Sequence, residues 1–167
     1  SDALHIIGQK ADGGLRDALS IFDQLISFSG GQLTYDNVIK NLNILDYDYY
    51  FKTTDLIKQK NLSGLLLLLN QIIKKGFEDL LFMNGLASHF RNLLVSKDES
   101  TLQLLDVGEN IKEKYKIQSK ENTLSFLINA LEILSNYDVQ FNTSKNKRLL
   151  TEITLMQLCS EDFSESK

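Results

Sequence analysis

Apolar residues recur every three to four positions along most of this 167-residue chain, and this spacing predicts amphipathic helices. The segments with the clearest pattern are residues 2–11, 15–26, 49–60, 62–75, 77–95, 120–138 and 143–160. Five consecutive leucines occupy residues 65–69, and because leucine is not β-branched they favour a helix buried nearly all round over a strand. Residues 98–117 are more polar and predict two short helices broken near residues 106–108. The predicted fold is all-α.

Turn residues and an acidic aromatic run divide the predicted helices into two groups. Residues 1–45 contain three short helices separated by glycine pairs, and a bundle of this size is marginal on its own. The run at residues 46–50 reads as the join, and residues 46–167 contain five to six further helices. Gly76 is predicted to end the helix at residues 62–75.

The last two predicted helices are apolar on two faces. In residues 120–138 one face carries Leu124, Leu127, Ile128, Leu131 and Leu134, and close to the opposite side lie Phe126, Ala130, Ile133 and Tyr137. In residues 143–160, which are expected to start from a Thr or Ser cap, Leu149, Ile153 and Met156 oppose Leu155 and Leu158. Because a helix that is apolar on two faces must be covered on two sides, either these helices lie at the centre of the bundle or another subunit buries one face.

The composition narrows the class of protein. The formal charge of -4 and the pI near 5.2 provide no global field that would draw the chain onto nucleic acid. One cysteine excludes an internal disulfide framework and is typical of a reducing compartment, so a soluble, cytoplasmic protein without a membrane-spanning segment is expected. The first helix begins almost at residue 1, which leads us to expect a piece cut from a longer chain.

The two histidines, the cysteine and Arg91 provide little chemistry in the sequence. His5 is expected at the surface or half-buried, and His89 and Arg91 lie off the apolar stripe of their helix, so we expect solvent or a subunit boundary around both. Metal binding is disfavoured because the chain has few soft ligands. Cys159 has no adjacent base and is interpreted as a packing residue.

Two features suggest contact with phosphate or nucleic acid, and both have simpler explanations. Lys145, Lys147 and Arg148 form a small basic cluster at the start of the last helix, where the helix dipole disfavours cations, and Arg148 has Glu152 four residues on as a local ion-pair partner. Tyr49, Tyr50 and Phe51 form an aromatic run that could stack on bases. Packing against neighbouring helices is the favoured interpretation, because the interleaved acidic residues would repel phosphates.

Arg16 is the residue whose position most needs an explanation. It lies in the first turn of the helix that follows the double glycine at residues 13–14, where the helix dipole already favours anions over cations. One explanation is an anion, most plausibly a phosphate, bound between the guanidinium and the free backbone N–H groups. The other is an ion pair between Arg16 and Asp12, Asp23 or an exposed neighbour. No convincing catalytic set accompanies it, so an independent enzyme is disfavoured.

The stretches ADGGLRDALSIFDQ and SKNKRLLTEITLMQL resemble the gamma/tau subunit family of the bacterial DNA polymerase III clamp loader. The first is similar to the sensor 2 helix of that family's AAA+ ATPase lid, and the second to the closing helix of its collar. The resemblance covers essentially the whole chain. It implies an all-α architecture of a three-helix lid at residues 1–45 and a collar bundle of five to six helices at residues 46–167.

The resemblance also implies partners and a role for Arg16. In the family the matching arginine reaches the γ-phosphate of ATP, and the collar assembles other gamma/tau copies with delta and delta-prime subunits into a ring of five. Contact with the sliding clamp and primed DNA would come only through the full complex. A stand-alone helical nucleic-acid-binding module using Lys145, Lys147, Arg148 and the tyrosines is the alternative.

Several functional parts of that family have no counterpart in this sequence. The phosphate loop, the Mg²⁺-binding acidic motif, the arginine finger and the zinc-binding module of the N-terminal domain do not occur in it. The resemblance therefore implies that this chain alone uses no cofactor and neither hydrolyses ATP nor binds it tightly, whereas the full-length parent would bind ATP with magnesium and act as an ATPase.

Overall fold

A computed structural model describes residues 3–5, 7, 23 and 45–161 of the chain. The first five of these are helical, and Ala3 and Ile7 are buried, in agreement with the apolar spacing predicted for the first helix. Residues 45–161 contain seven helices and no strand. They are α1 (Tyr47–Lys58), α2 (Leu62–Lys74), α3 (Asp79–Val95), α4 (Glu99–Leu102), α5 (Glu109–Glu121), α6 (Leu124–Phe141) and α7 (Lys147–Ser160). The remaining helices predicted in residues 1–45 lie outside the described residues.

The all-α prediction is confirmed over residues 45–161. The expected five to six helices correspond to the six that are at least 12 residues long, and the four-residue α4 adds a seventh. Gly76 follows the end of α2 with a φ of 96°, a conformation that glycine adopts without steric cost. The predicted break before α5 is also observed.

The N-terminal cap of α7 differs from the prediction. Asn146 is the capping residue, and its side-chain oxygen accepts a hydrogen bond of 3.0 Å from the backbone N–H of Leu149. The expected Thr or Ser cap is wrong because both hydroxyls serve the turn between α6 and α7. Thr143 donates to the carbonyl of Gln140, and Ser144 donates to the carbonyl of Asn146.

Helix α3 lies at the centre of the bundle and contacts α1, α5, α6 and α7. It runs antiparallel to α6. Phe90 near the end of α3 packs edge-on against Phe126 near the start of α6, with the ring centroids 5.8 Å apart, and Asp79 at the start of α3 lies close to Tyr137 near the end of α6. Six helices supply fully buried side chains to the core, among them Ile57, Leu69, Leu86, Tyr115, Phe126 and Leu155. The core is therefore built around α3.

The aromatic run and the leucine run place their side chains differently. Tyr50 is buried and stacks on Phe82 with the ring centroids 5.8 Å apart, so the predicted packing of the aromatic run against later helices is confirmed. Leu65, Leu68 and Leu69 are buried, but Leu67 is 70% exposed. The expectation that the leucine helix is buried nearly all round is wrong, because Leu67 lies with the exposed Ser63, Asn70, Gln71 and Lys74 on a face of α2 that none of the described helices covers.

None of the helices in the part of the chain that the structure describes has the length and apolar character needed to cross a membrane.

Candidate functional site

Arg16, the residue predicted to bind a phosphate, lies outside the described residues together with Asp12. The role assigned to it stays a prediction.

Helix α7 has one apolar face in the core and one open. Leu155 and Leu158 are fully buried, as expected for the inner face. The opposite face, formed by Leu149, Ile153 and Met156, is 47%, 40% and 39% exposed. We call these three side chains the open face of α7. The alternative in which α7 lies at the centre of the bundle with both faces covered is therefore wrong for the described residues.

Helix α6 divides its apolar residues differently from the prediction. Its buried side chains are Phe126, Leu127, Ala130, Leu134 and Tyr137, which combine members of both predicted faces. Leu124 and Ile128 are 53% and 51% exposed. The two predicted faces adjoin along one side of the helix, and α3 and α7 together cover that side. Leu124 and Ile128 therefore remain open.

A groove of about 300 Å³ separates the outer sides of α6 and α7. We call it the α6–α7 groove; its apolar and aromatic lining consists of Ile133, Tyr137, Leu150 and Ile153, and its polar lining includes Asn136, Gln140 and Gln157. Tyr137 is hydrogen-bonded to the Thr151 hydroxyl at 2.9 Å, and burial raises its pKa. Ile153 belongs both to the groove and to the open face of α7. Most of the exposed surface of the groove is polar.

The basic cluster at the start of α7 is largely engaged within the bundle. Arg148 Nε lies 3.2 Å from Asp79 Oδ2 at the start of α3, so the predicted ion pair with Glu152 is wrong. The partner on α3 is within reach because α7 packs against that helix. Lys147 donates to the carbonyl of Ser144 and lies over the Phe141 ring, 5.1 Å from its centroid. These contacts weaken the case for a phosphate-binding patch.

His89 has a different environment from the one predicted. Arg91 is exposed as expected, but His89 is only 1% exposed. Its position in the helix could have indicated this, because it follows Leu86 by three residues and precedes Leu93 by four, on the same side of α3. Side chains of α1 and α5 cover that side of the helix.

A polar network surrounds His89. It consists of the buried His89, Tyr115 and Gln118, the half-buried Asn92 and the exposed Asp55. The Nε2 atom of His89 lies 2.7 Å from Gln118 Oε1, and the Nδ1 atom lies 3.2 Å from the Tyr115 hydroxyl. The Gln118 amide nitrogen donates to the Phe51 carbonyl at 2.9 Å and to Asp55 Oδ1 at 3.0 Å.

The hydrogen-bond partners determine the tautomer of His89. Because the Gln118 nitrogen faces two acceptors, its oxygen must face His89, and Nε2 of the imidazole must carry the proton. In the neutral ring Nδ1 then accepts from the Tyr115 hydroxyl, whose oxygen in turn accepts from the Asn92 amide at 3.2 Å. Burial lowers the pKa of His89 to about 4, while the hydrogen bond with Gln118 acts in the opposite direction. The network is thus complete with a neutral histidine.

His5 and Cys159 are the remaining candidate groups from the sequence. His5 is half-buried, as expected, and its Nε2 lies 2.7 Å from Asp106 Oδ1. Cys159 is buried in the core and burial raises the pKa of its thiol, in keeping with a packing role. Among the described residues, no three or more His, Cys, Asp and Glu side chains lie together in a way that could hold a metal ion.

Comparison with known protein families relates the chain to DNA replication proteins. Residues 1–31 match the family model of the DNA polymerase III clamp loader subunit, ATPase lid domain. The chain is 27% identical over 157 residues to the DNA polymerase III subunit tau of Bacillus subtilis, covering 94% of this chain and 28% of tau. It is 35% identical over 140 residues to the gamma subunit of Buchnera aphidicola (subspecies Baizongia pistaciae), covering 81% and 34% of the two chains. The chain spans about a third or less of these two relatives.

The fold is shared with a solved clamp-loader subunit. The Bacillus subtilis DNA clamp loader delta protein superposes on 93% of this chain, and 49% of its own, with a TM-score of 0.61 and 21% sequence identity. At this identity the likeness concerns the fold alone. The match to tau extends beyond the segment that matches the lid model and into the helical bundle. By sequence, this chain is a relative of the gamma and tau subunits of the bacterial DNA polymerase III clamp loader.

Proposed function

We propose that the chain is the lid and collar portion of a clamp-loader subunit of the gamma/tau type, with the lid at residues 1–45 and the collar at residues 46–167. The observation that carries the proposal is the match to tau over 157 residues, which spans both portions. In this role the chain assembles subunits and transmits the nucleotide state of the full-length protein to the loading of the sliding clamp onto primed DNA. By itself it turns over no ATP; the full-length subunit binds ATP with magnesium.

The outer surface of α6 and α7 supports assembly through the collar. The open face of α7 consists of three apolar side chains spaced one helical turn apart, and it adjoins the α6–α7 groove at Ile153. An apolar patch bordered by polar groups is the usual composition of a subunit interface. We propose other gamma/tau copies and the delta and delta-prime subunits as its partners.

An association measurement tests the proposal directly. We expect the purified chain to self-associate, or to bind its cognate delta-prime subunit, at micromolar concentrations in sedimentation velocity. Binding of DNA by the isolated chain should be absent in a mobility-shift titration at low salt. A chain that stays monomeric with every subunit, yet shifts DNA in a salt-dependent way, would instead support the nucleic-acid-binding module.

Arg16 provides a separate test in the full-length subunit. We propose that it contacts the γ-phosphate of ATP, and it falls within the segment that matches the lid family. Arg16→Ala should then reduce ATP-dependent clamp loading by at least ~10-fold, because a charge-assisted contact to the phosphate is lost. The assembled complex should be retained in gel filtration.

The exposed Arg91 provides the matched control. Arg91→Ala also removes one guanidinium but should leave clamp loading unchanged. If Arg16→Ala dissolved the oligomer, the phosphate-sensor role would be wrong.

A further inference from the structure

Helix α5 is attached to the bundle in large part through polar groups. Ile111 and Tyr115 are its buried apolar and aromatic side chains, whereas Ile117 is 61% exposed. Gln118 and Ser119 are buried as well, and the Ser119 hydroxyl donates to the Leu93 carbonyl of α3 at 2.7 Å. Because so little apolar surface of α5 is buried, its attachment depends on the geometry of its hydrogen bonds.

His89 lies between the two α5 side chains that carry most of this polar attachment. The hydrogen bonds form a series in which each group donates to the next: Asn92 donates to Tyr115, Tyr115 to His89 and His89 to Gln118. Gln118 continues the series to the Phe51 carbonyl and the carboxylate of α1. The imidazole therefore joins α3 to α5, and through Gln118 it joins α5 to α1.

A proton added to His89 breaks this order. Nδ1 becomes a donor and faces the Tyr115 hydroxyl, which donates to Nδ1 when the ring is neutral. The same hydroxyl oxygen already accepts from the Asn92 amide. The Nδ1–H group and the Tyr115 O–H group are then two donors facing each other. Either the Tyr115 proton turns away and loses its acceptor, or α5 must move.

The surroundings of the imidazole do not balance a positive charge. The groups that face it are Tyr50, Phe51 and, through Gln118, Asp55 from α1; Tyr115 and Gln118 from α5; and Phe90 and Asn92 from α3. The Asp55 carboxylate is bound by the Gln118 amide and not by the imidazole. The exposed ion pair of Lys114 with Asp48 also joins α5 to α1, with its charged atoms 3.1 Å apart. A buried cation without a paired anion is costly.

We propose that His89 is an acid-sensitive latch whose protonation releases α5 from α1 and α3. The folded pKa of about 4 lies below the ~6.5 of a free imidazole, so the released state binds more protons between these two values. The stabilisation provided by the neutral network is therefore complete above pH ~6.5 and is lost as the pH falls through 4.

Hydrogen exchange of the full chain, followed by mass spectrometry at pH 7 and pH 4.5, tests the latch. Protection factors corrected for intrinsic exchange rates should fall roughly 50-fold in residues 109–121. At pH 4.5 the protection of α5 should lie well below that of residues 124–141 in α6, because α5 is released while the rest of the bundle stays folded. An unchanged α5, or equal protection of α5 and α6 at pH 4.5, would overturn the proposal, because the first shows no release and the second shows that the helices open only together.

The two histidines of the chain supply a variant and its matched control. In His89→Gln the position no longer titrates, so protection of α5 should depend on pH by less than about twofold, even if it is lower throughout. In His5→Gln the acid response of α5 should be as in the wild type. An acid response that persists in His89→Gln would overturn the role of His89.

A measurement on the wild-type protein covers the case in which His89→Gln fails to fold. Long-range ¹H–¹⁵N NMR spectra at pH 7 should show the Nε2–H tautomer of neutral His89, and the ring should titrate well below the ~6.5 of a free imidazole. A neutral Nδ1–H tautomer, or a titration in the normal range of histidine, would contradict the network on which the latch depends.

Discussion

Replacing Gly85 with alanine is expected to destabilise the helical bundle by about 2 kcal/mol, the middle of the range for overpacking a core. Gly85 lies in the middle of α3 against the ring of Tyr50, and an added Cβ would lie 2.9 Å from Tyr50 Cε1 and closer still to Cζ and the hydroxyl oxygen. The buried ring cannot turn away, because it is stacked against Phe82 and His89. This cost should exceed the ~1 kcal/mol by which alanine favours a helix over glycine.

Urea denaturation of Gly85→Ala and a control variant measures this effect. Asn84 is exposed on the same helix, so Asn84→Ala should leave the free energy of unfolding within about 0.5 kcal/mol of the wild type. Most of the penalty of Gly85→Ala should disappear in a Tyr50→Leu background, because the two sites are in contact and their effects are not additive. A Gly85→Ala variant more stable than the wild type would show that the ring moves freely.

Replacing Ile153 with aspartate is expected to weaken association through the collar by about 2–5 kcal/mol, or at least roughly 30-fold in Kd. Ile153 is 40% exposed and lies where the open face of α7 meets the α6–α7 groove. In the monomer the new carboxylate would remain hydrated, so the free energy of unfolding should change by no more than about 1 kcal/mol. In an assembled interface the same carboxylate would be desolvated without a partner. Sedimentation equilibrium with the cognate delta-prime subunit measures the change.

Leu67 provides a control of the same chemistry on another helix. It is 70% exposed on α2, so Leu67→Asp introduces the same charge outside the α6–α7 surface and should leave Kd unchanged. Leu149→Asp, on the open face of α7, should weaken association as Ile153→Asp does. Equal effects of Leu67→Asp and Ile153→Asp would place the interface elsewhere on the bundle.

The candidate site could be predicted from the sequence as far as spacing within one helix determines it. The two apolar faces of α7 follow from residues three and four positions apart, and the structure places Leu155 and Ile153 on opposite sides as expected. The ion pair of Arg148 could not be found in this way, because Asp79 is 69 residues away. The sequence does contain a signal for the close approach of Tyr50 to Gly85, because a glycine within a helical pattern suggests a near neighbour.

The sequence alone determined the helices, the turns that separate them and the apolar sides of each helix. These features depend on residues within a few helical turns of one another. Only the tertiary structure decided which apolar side is covered, since Leu158 and Met156 are both apolar and differ only in what packs against them. It likewise decided that His89 is buried and neutral. The groups that satisfy its two nitrogens come from α5, 26 and 29 residues further along the chain, and become neighbours only when the helices pack.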